Sequence, residues 1–326
     1  MGDPGGVGGE ITIAAWQALR KTGPAFFLID DPSRLQSLDA AIATISNPAQ
    51  ALDAFGTALP VLPVNAAVYA KAGISSVENA PAVIESIERA VAFALDGTAA
   101  GVVTNPIQKS SLMSAGFAFP GHTEFLEALT NAAAMPNNRK QAAVMMLASP
   151  QLRTVPVTIH VAVKDAVKAL KPALIVDCAT IVSEALRYDF GIENPRIAIS
   201  GLNPHAGEAG ALGAEDMLII EPAIDTLHAL GINARGPLPA DTMFHAEART
   251  KYDAAICMLH DQALIPAKTL AFHGAVNVTL GLPIIRTSPD HGTALDIAGT
   301  GTARPDSLIA AIKLADQMAQ RRQQAS

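Results

Sequence analysis

The sequence predicts an α/β fold built around a mainly parallel sheet. Short apolar or β-branched runs alternate with longer segments of 3.6-residue periodicity, the pattern that strands and crossover helices produce. Gly, Pro, Asn or Asp bounds each short run. The chain has 326 residues, more than the roughly 100–200 typical of one domain, so we expect two domains or one unusually large one.

The individual elements follow from these runs in chain order. Strands are predicted over residues 25–29, 101–104, 143–147, 154–160, 196–200, 254–259 and 276–280. The clearest helices are predicted over residues 10–21, 82–95, 172–188, 214–230 and 307–322. A Pro/Gly-rich stretch at residues 119–121 is a candidate domain hinge.

Composition narrows the function classes. Half of the residues are hydrophobic and 16% are charged, so intrinsic disorder is excluded. The net charge is −7 and the few aromatic residues are scattered, so we expect no nucleic-acid partner. The apolar runs are far shorter than the ~20 residues that span a bilayer, and no leader opens the chain, so we expect a cytoplasmic protein without a membrane partner. Cys178 and Cys257 are expected to be buried small hydrophobes.

A glycine-rich loop, GDPGGVGGE, occupies residues 2–10 and leads into the first predicted helix. Asp30 closes the next strand about twenty residues later, which is typical of a dinucleotide-binding fingerprint. However, Ile11 stands where the third glycine belongs, and no strand is predicted before the loop. We therefore favour a loop of backbone amides near the active cleft, with a plain helix-start turn and a Rossmann loop as alternatives.

Three histidines sit where polar loops should follow strands: His160, His205 and His260. Ligands of open α/β sheets bind at such strand ends. Imidazoles suit Zn²⁺, Co²⁺, Ni²⁺ or Mn²⁺, and Asp241 and Asp261 are candidates to orient the rings or to bind the metal directly. The competing interpretation is that each histidine is structural or solvated.

Phosphate recognition needs fixed cations and amide donors. Lys268, Asn277 and Arg286 are candidates, and the segment at residues 121–124 is a second donor cluster at a helix start. The competing interpretation is that each of these residues is only a surface charge or a helix cap. Thr123, with Glu124 in the first turn, is in that interpretation only an N-cap.

Taken together, the motifs resemble the 4-hydroxythreonine-4-phosphate dehydrogenase (PdxA) family of vitamin B6 synthesis. They occur in the family's order and cover almost the whole chain. The motifs are GDP at residues 2–4, GHTE at 121–124, GLNPHAGE at 201–208, ADT at 240–242, HDQ at 260–262, VNVTLGLP at 276–283, RTS at 286–288 and DHGTA at 290–294.

The resemblance implies a fold of two α/β/α domains with a cleft between them, like isocitrate and isopropylmalate dehydrogenases and unlike Rossmann proteins. The first domain is expected at residues 1–118 plus 298–326, and the second at residues 119–297, carrying most ligands and a homodimer interface. It also implies active sites shared between two subunits, in which His160, His205 and the partner's His260 bind a divalent metal, one per site (Zn, Co, Mg or Mn).

The resemblance assigns the other site residues as well. The substrate contacts are His122, Thr123, Lys268, Asn277 and Arg286, and the catalytic or supporting residues are Lys268, Asp241 and Asp261. The residues expected near NAD or NADP are Leu280, Gly281, Asp290, His291 and Gly292.

The implied reaction is oxidation of 4-phosphooxy-L-threonine to 2-amino-3-oxo-4-phosphooxybutanoate, which decarboxylates to 3-amino-2-oxopropyl phosphate on the way to pyridoxal 5′-phosphate. Alternatives are a family dehydrogenase acting on a phosphorylated four-carbon acid, such as threonate or erythronate phosphate, or on an aromatic cis-dihydrodiol, and a non-catalytic metal- and phosphate-ester-binding module.

The sequence also departs from the family pattern. Gly9, Leu259 and Ala263 stand where the family usually has Pro, an aromatic residue and Gly. Relatives usually have a short strand before the first loop, so we expect either that the start codon is assigned late or that this strand has been lost.

Overall fold

The structure is a computed structural model that describes residues 1–119 and 121–324. It confirms the α/β class. Pro120, part of the predicted hinge, lies outside the described residues. None of the described helices combines the length and the hydropathy that crossing a membrane requires.

Strands and helices alternate along the chain. The strands are β1 (Leu28–Asp30), β2 (Ile42–Thr44), β3 (Leu59–Pro63), β4 (Val102–Val103), β5 (Val144–Ala148), β6 (Arg153–Pro156), β7 (Ile197–Ser200), β8 (Ala234–Leu238), β9 (Ala254–Cys257), β10 (Val276–Leu280) and β11 (Arg286–Pro289). The helices are α1 (Gly8–Leu19), α2 (Pro32–Gln36), α3 (Ala51–Ala54), α4 (Ala80–Leu95), α5 (Lys109–Ser114), α6 (His122–Thr130), α7 (Val163–Ala169), α8 (Pro172–Tyr188), α9 (Glu221–Ala229), α10 (Ala246–Arg249), α11 (His260–Ala271) and α12 (Asp306–Gln324).

The chain divides into two compact units. Unit 1 comprises Met1–Ala134 and Leu282–Ala319, and unit 2 comprises Met135–Gly281 and the chain from Gln320 onward. These bounds differ from the predicted division at 118/119 and 297/298. Because α6 packs on α4 and β11 pairs with β4, both α6 and β11 belong to unit 1.

Unit 1 contains a three-stranded parallel sheet in the order β1-β3-β2 and the parallel pair of β4 with β11. Its core gathers α1, β1, β3 and the first half of α12 around residues such as Trp16, Leu59 and Val61. Trp16 also donates its indole N–H to the Phe55 carbonyl at 2.8 Å. This hydrogen bond satisfies the one polar group of the buried indole ring.

Unit 2 is built on six strands in the order β10-β5-β6-β9-β7-β8. The last four of these run parallel, whereas β5 is antiparallel to both β6 and β10. Every residue of β7 and β9 is buried, as expected for parallel strands covered by helices. The antiparallel strand distinguishes this order from a Rossmann sheet, so the prediction of a non-Rossmann fold is confirmed.

Proline explains the main differences from the predicted elements. The helix predicted over residues 214–230 is a π-helical segment, Asp216–Ile220, followed by α9, with Pro222 in the first turn of α9. The strands β3 and β8 were not predicted because prolines within them are typical of strand edges and turns. The strand predicted over residues 154–160 ends at Pro156, so His160 lies beyond it.

Candidate active site

Two of the predicted metal ligands meet at the carboxyl ends of neighbouring strands in unit 2. β6 and β9 pair in parallel, with Pro156 opposite Cys257, so the segments that follow both strands leave the sheet side by side. The ring centroids of His160 and His260 lie 5.8 Å apart. Two imidazoles of one chain therefore lie close together at the carboxyl ends of the strands. Open α/β sheets commonly bind their ligands at this edge.

The His260 ring is oriented by its neighbour. His260 is the first residue of α11, and its Nδ1 lies 2.7 Å from Oδ1 of Asp261. A carboxylate in this position holds the proton on Nδ1 and leaves Nε2 as the metal-binding nitrogen, the usual arrangement around metal-ligating histidines.

His205 lies in a short helical loop, Pro204–Gly210, that follows β7, and its backbone has a φ of 53°. Asp216 holds the start of this loop. Its buried carboxylate accepts hydrogen bonds from the backbone N–H groups of Leu202 at 2.8 Å and Asn203 at 3.1 Å. A loop fixed by charge-assisted bonds presents His205 in a defined position.

One chain does not bring all three histidines together. Among the described residues, no group of three or more His, Cys, Asp or Glu side chains is arranged to hold a metal ion. The chemistry of the donors fits a divalent metal, because three imidazoles with a supporting carboxylate are a common ligand set. His160 and His260 supply two such donors within a chain, and the assignment of His260 to the partner's site stays a prediction.

Asp241 and Asp261 line one groove of about 540 Å³ in unit 2. Gln262 also lines this groove, and it ties the start of α11 to the loop after β7. Its side-chain amide donates to the Gly201 carbonyl at 3.0 Å, while its carbonyl accepts the Leu259 N–H at 3.0 Å. The HDQ segment is therefore positioned by its own third residue.

The remaining predicted substrate contacts of unit 2 lie on neighbouring elements. Lys268 is in the last turn of α11, and Asn277 is on β10 opposite Leu147 of β5. Both side chains are half-buried.

A second cluster lies in unit 1 around Arg286, the first residue of β11. Arg286 is 3% exposed, and its guanidinium donates from Nη2 to Oγ1 of Thr104, just after β4, at 2.7 Å. Burial lowers the pKa of Arg286 to about 10, so the group remains a cation at neutral pH. The parallel pairing of β4 and β11 holds this cation in place.

His122 faces the same positive charges. The pKa of its imidazole is well below 6.5, chiefly because of burial and then because of Arg286, the amino terminus and Lys109. His122 Nε2 is buried and has no hydrogen-bond partner within the described part of the chain. The ring is thus neutral at pH 7 and keeps one buried nitrogen for a ligand.

The backbone around His122 adds to this positive field. Gly121 is the N-cap residue of α6, so Thr123 lies inside the first turn and the N-cap interpretation of Thr123 is wrong. Helix N-termini present free N–H groups to anions. Lys109 lies beside Gly121, since a Cβ built on that glycine would be 3.3 Å from Lys109 Nζ. The chemistry of the cluster fits a phosphate ester.

The predicted cofactor residues fall in both units. Leu280 ends β10 and Gly281 follows it in unit 2, whereas Asp290, His291 and Gly292 follow β11 in unit 1. Gly281 has a φ of 72°, and a Cβ there would lie 2.0 Å from the carbonyl oxygen at residue 142, so this turn requires glycine. His291 and Gly292 are exposed.

The first loop of unit 1 is a tight turn that leads directly into α1. Asp3 accepts the Gly5 N–H at 2.8 Å and a hydrogen bond from the Ser75 hydroxyl, which lies 2.7 Å from Ser111 Oγ. A Cβ on Gly5 would lie 2.0 Å from the Ile74 carbonyl, so the loop needs glycine for close packing.

Three residues that position the site received no role from the sequence: Lys109, Asp216 and Gln262, the last of which was noted only as part of the HDQ motif. Asp216 offered a signal, because it is a carboxylate among the apolar residues of a predicted helix, and a buried carboxylate needs donors. Lys109 gave no sequence signal, since its proximity to residue 121 depends on tertiary packing.

Comparison with known proteins places these features in a family. Residues 24–315 match the family described as pyridoxal phosphate biosynthetic protein PdxA. The 4-hydroxythreonine-4-phosphate dehydrogenases of Caulobacter vibrioides and Bradyrhizobium diazoefficiens are 53% and 54% identical, over 98% of this chain and 96% and 95% of theirs.

Solved structures of related enzymes support the same family assignment. The 4-hydroxythreonine-4-phosphate dehydrogenase of Klebsiella pneumoniae superposes with a TM-score of 0.86 at 35% identity, covering 98% of this chain and 96% of its own. A terephthalate 1,2-cis-dihydrodiol dehydrogenase from Burkholderia xenovorans gives 0.65 at 26% identity, covering 97% and 96%. The chain belongs to the PdxA family of pyridoxal phosphate biosynthetic proteins.

Proposed function

We propose that this oxidoreductase oxidises 4-phosphooxy-L-threonine with NAD or NADP to 2-amino-3-oxo-4-phosphooxybutanoate, which loses CO₂ to give 3-amino-2-oxopropyl phosphate. The observation that carries the proposal is the buried cation Arg286 next to the neutral His122 and Lys109 in unit 1. The relatives named as dehydrogenases of the same phosphate ester support it.

The cluster around Arg286 binds the phosphate. Arg286, oriented by Thr104, supplies a fixed positive charge, and Lys109 supplies a second, more exposed one. His122 Nε2 and the N–H groups in the first turn of α6, where Thr123 lies, complete the contacts. Charge-assisted hydrogen bonds of this kind contribute about 1.5–3 kcal/mol each.

The three histidines and the two carboxylates act on the alcohol group. His160, His205 and His260 would hold a divalent metal (Zn, Co, Mg or Mn), and Asp261 orients His260. When bound, such a metal would make the substrate hydroxyl more acidic, and a bound nicotinamide would be the hydride acceptor. Asp241 and Asp261 support the site from the shared groove.

The other assignments belong to the same proposal. Lys268 relays a proton or contacts the phosphate, and Asn277 contacts the substrate. The nicotinamide cofactor lies near Leu280, Gly281, Asp290, His291 and Gly292. The chain works in the cytoplasm as a homodimer whose two-domain subunits share their sites.

A second candidate is a dehydrogenase of aromatic cis-dihydrodiols. The observation that favours it is the fold shared with a terephthalate dihydrodiol dehydrogenase. The buried cation Arg286 indicates that the substrate carries an anionic group. The carboxylates of a terephthalate dihydrodiol would also supply such a group.

The test is substrate-dependent NADH or NADPH formation by the purified protein. We expect 4-phosphooxy-L-threonine to give a higher kcat/KM than phosphoerythronate, phosphothreonate and a terephthalate cis-dihydrodiol. A higher kcat/KM for any of these three compounds would reassign the substrate. No reduction of either nucleotide with any of them, by a metal-loaded protein, would refute the proposed reaction.

A further inference from the structure

The first loop of unit 1 contains a buried acidic side chain to which the proposed function gives no role. Asp3 is 6% exposed, and each of its carboxylate oxygens accepts a hydrogen bond, one from the Gly5 N–H at 2.8 Å and the other from the Ser75 hydroxyl. The Asp3 N–H donates to the Pro106 carbonyl at 2.9 Å. Burial of a carboxylate is costly unless such donors satisfy it. The carboxylate of Asp3 is therefore held in place, with one oxygen bonded to a residue outside the loop.

The Ser75 hydroxyl connects Asp3 to a second hydroxyl group. Its Oγ lies 2.7 Å from Ser111 Oγ, and both serines are half-buried. A hydroxyl group carries one proton, and an ionised carboxylate only accepts hydrogen bonds. Ser75 gives its proton to Asp3, so Ser111 is the donor to Ser75. The hydrogen bonds thus run in one direction, from Ser111 through Ser75 to Asp3, and the charge at their end strengthens both of them.

This chain of hydrogen bonds ends on the short helix α5. Ser111 is the third residue of α5 and Lys109 is the first. The helix has six residues, and its N-cap residue, Gln108, makes no side-chain capping bond. A helix of this length is not stable by itself, so its position depends on tertiary contacts. The buried side chain of Leu112 supplies an apolar contact, and Ser111 supplies the polar one.

The same loop reaches the start of α5 by a second route. The Val7 N–H donates to the Thr293 carbonyl at 3.0 Å, and the Thr293 hydroxyl donates to the side-chain oxygen of Gln108 at 3.3 Å. Gln108 and Ser111 lie on either side of Lys109 in the sequence. The loop therefore holds the backbone of α5 both before and after the lysine.

Lys109 needs this support because its side chain is long, flexible and exposed. Its Nζ lies beside the N-terminus of α6, 3.3 Å from a Cβ built on Gly121. Its charge also acts on His122, whose pKa is lowered first by burial and then by the charges of Arg286, the amino terminus and Lys109. The attraction between two charges weakens as their separation grows. A displacement of α5 would therefore weaken the contact between Lys109 and a phosphate group.

We propose that Asp3, Ser75 and Ser111 are positioning residues through which the first loop of unit 1 holds Lys109 against the phosphate group of the substrate. This role rests on the proposed function, in which Lys109 is one of the phosphate contacts. It assigns the GDP motif at residues 2–4 an action on the phosphate through α5.

The experiment removes one hydroxyl group at a time and measures Kd for 4-phosphooxy-L-threonine by titration calorimetry, with metal-loaded protein and no nucleotide. Ser111→Ala and its matched control, Ser110→Ala, make the same change at neighbouring positions of α5, and alanine favours the helix in both. Ser110 is exposed and accepts a hydrogen bond from the Gln108 side chain at 3.2 Å. We expect Ser111→Ala to raise Kd at least about fivefold and Ser110→Ala to leave it within about twofold of wild type.

Variants of Ser75 test the middle of the chain of hydrogen bonds. Ser75→Ala should raise Kd as Ser111→Ala does, whereas Ser75→Thr, which keeps the hydroxyl group, should stay within about twofold of wild type. A Ser111→Ala protein with wild-type Kd, or a Ser75→Thr protein that binds as weakly as Ser75→Ala, would overturn the positioning role. An equal loss of affinity in Ser110→Ala would also overturn it.

A double-mutant cycle with Lys109 separates positioning from a general loss of packing. Lys109→Met should raise Kd by roughly 10- to 150-fold, because a charge-assisted hydrogen bond is lost. In the Lys109→Met protein, Ser111→Ala should change Kd by less than about twofold, because the chain acts only through the lysine. A further loss of affinity there, or a Lys109→Met protein with wild-type Kd, would overturn the positioning role.

These outcomes leave the proposed function intact, because Arg286→Met and substrate turnover test it separately. A wild-type protein that neither binds nor oxidises the phosphorylated substrate would instead refute the proposed function, and the positioning role with it.

Discussion

Replacing Arg286 by methionine tests the phosphate site most directly. Methionine keeps much of the side-chain length and removes the charge and the donors. A charge-assisted hydrogen bond to a phosphate contributes about 1.5–3 kcal/mol, and every 1.4 kcal/mol is tenfold in affinity. We therefore expect Kd for the phosphorylated substrate to rise by roughly 10- to 150-fold, with binding of the nicotinamide nucleotide nearly unchanged.

Stability separates a binding role from a structural one. Burial disfavours the charged form of Arg286, and methionine removes this desolvation cost while filling much of the same space, so the Tm of Arg286→Met should not fall appreciably. The matched control is Arg304→Met, which removes an exposed arginine of unit 1 that pairs with Asp306 at 3.0 Å. This control should leave both affinities unchanged.

The pH dependence of substrate binding is a further test of the role of Arg286. Since burial lowers the pKa of Arg286 to about 10, its guanidinium stays protonated through pH 9 and loses its charge as the pH rises through about 10. The affinity difference between wild type and Arg286→Met should therefore be constant from pH 7 to 9. Titration calorimetry with each ligand provides the measurement. A Kd for the phosphate ester within twofold of wild type, or equal weakening of both ligands, would refute the reasoning.

The other predictions concern the metal, the subunits and stability. Chelation should remove a divalent metal together with activity, and His160→Ala, His205→Ala or His260→Ala should each lower metal content by elemental analysis; full activity without metal would contradict this. Mixing inactive His205→Ala and His260→Ala subunits should restore about a quarter of wild-type activity if sites are shared between subunits and reassortment is random; no recovery in verified heterodimers would instead favour ligands from one chain. Asp189→Asn should cost about 3–5 kcal/mol in urea unfolding, because its buried carboxylate pairs with two arginines at 2.9–3.1 Å, whereas the exposed Asp306→Asn should cost less than about 1 kcal/mol; equal losses would argue against the buried pairing.

The sequence by itself determined the fold class, several elements and the family. The helix predicted over 172–188 and the strand over 276–280 have the bounds of Pro172–Tyr188 and Val276–Leu280. Local signals suffice there, because a proline marks the first turn of the helix and a β-branched run bounded by turn residues marks the strand. The motif order likewise identified the PdxA family, because it depends on residue identity and spacing.

Only the tertiary structure determined which residues that are distant in sequence lie close together. His160 and His260 are a hundred positions apart, and they meet because β6 and β9 pair in parallel, which no local pattern reveals. The antiparallel direction of β5 and the division into units also depend on long-range packing. The neutral state of His122 depends on burial and on charges from elsewhere in unit 1. Desolvation and charge proximity are properties of the folded chain, because they arise only when distant segments exclude water together.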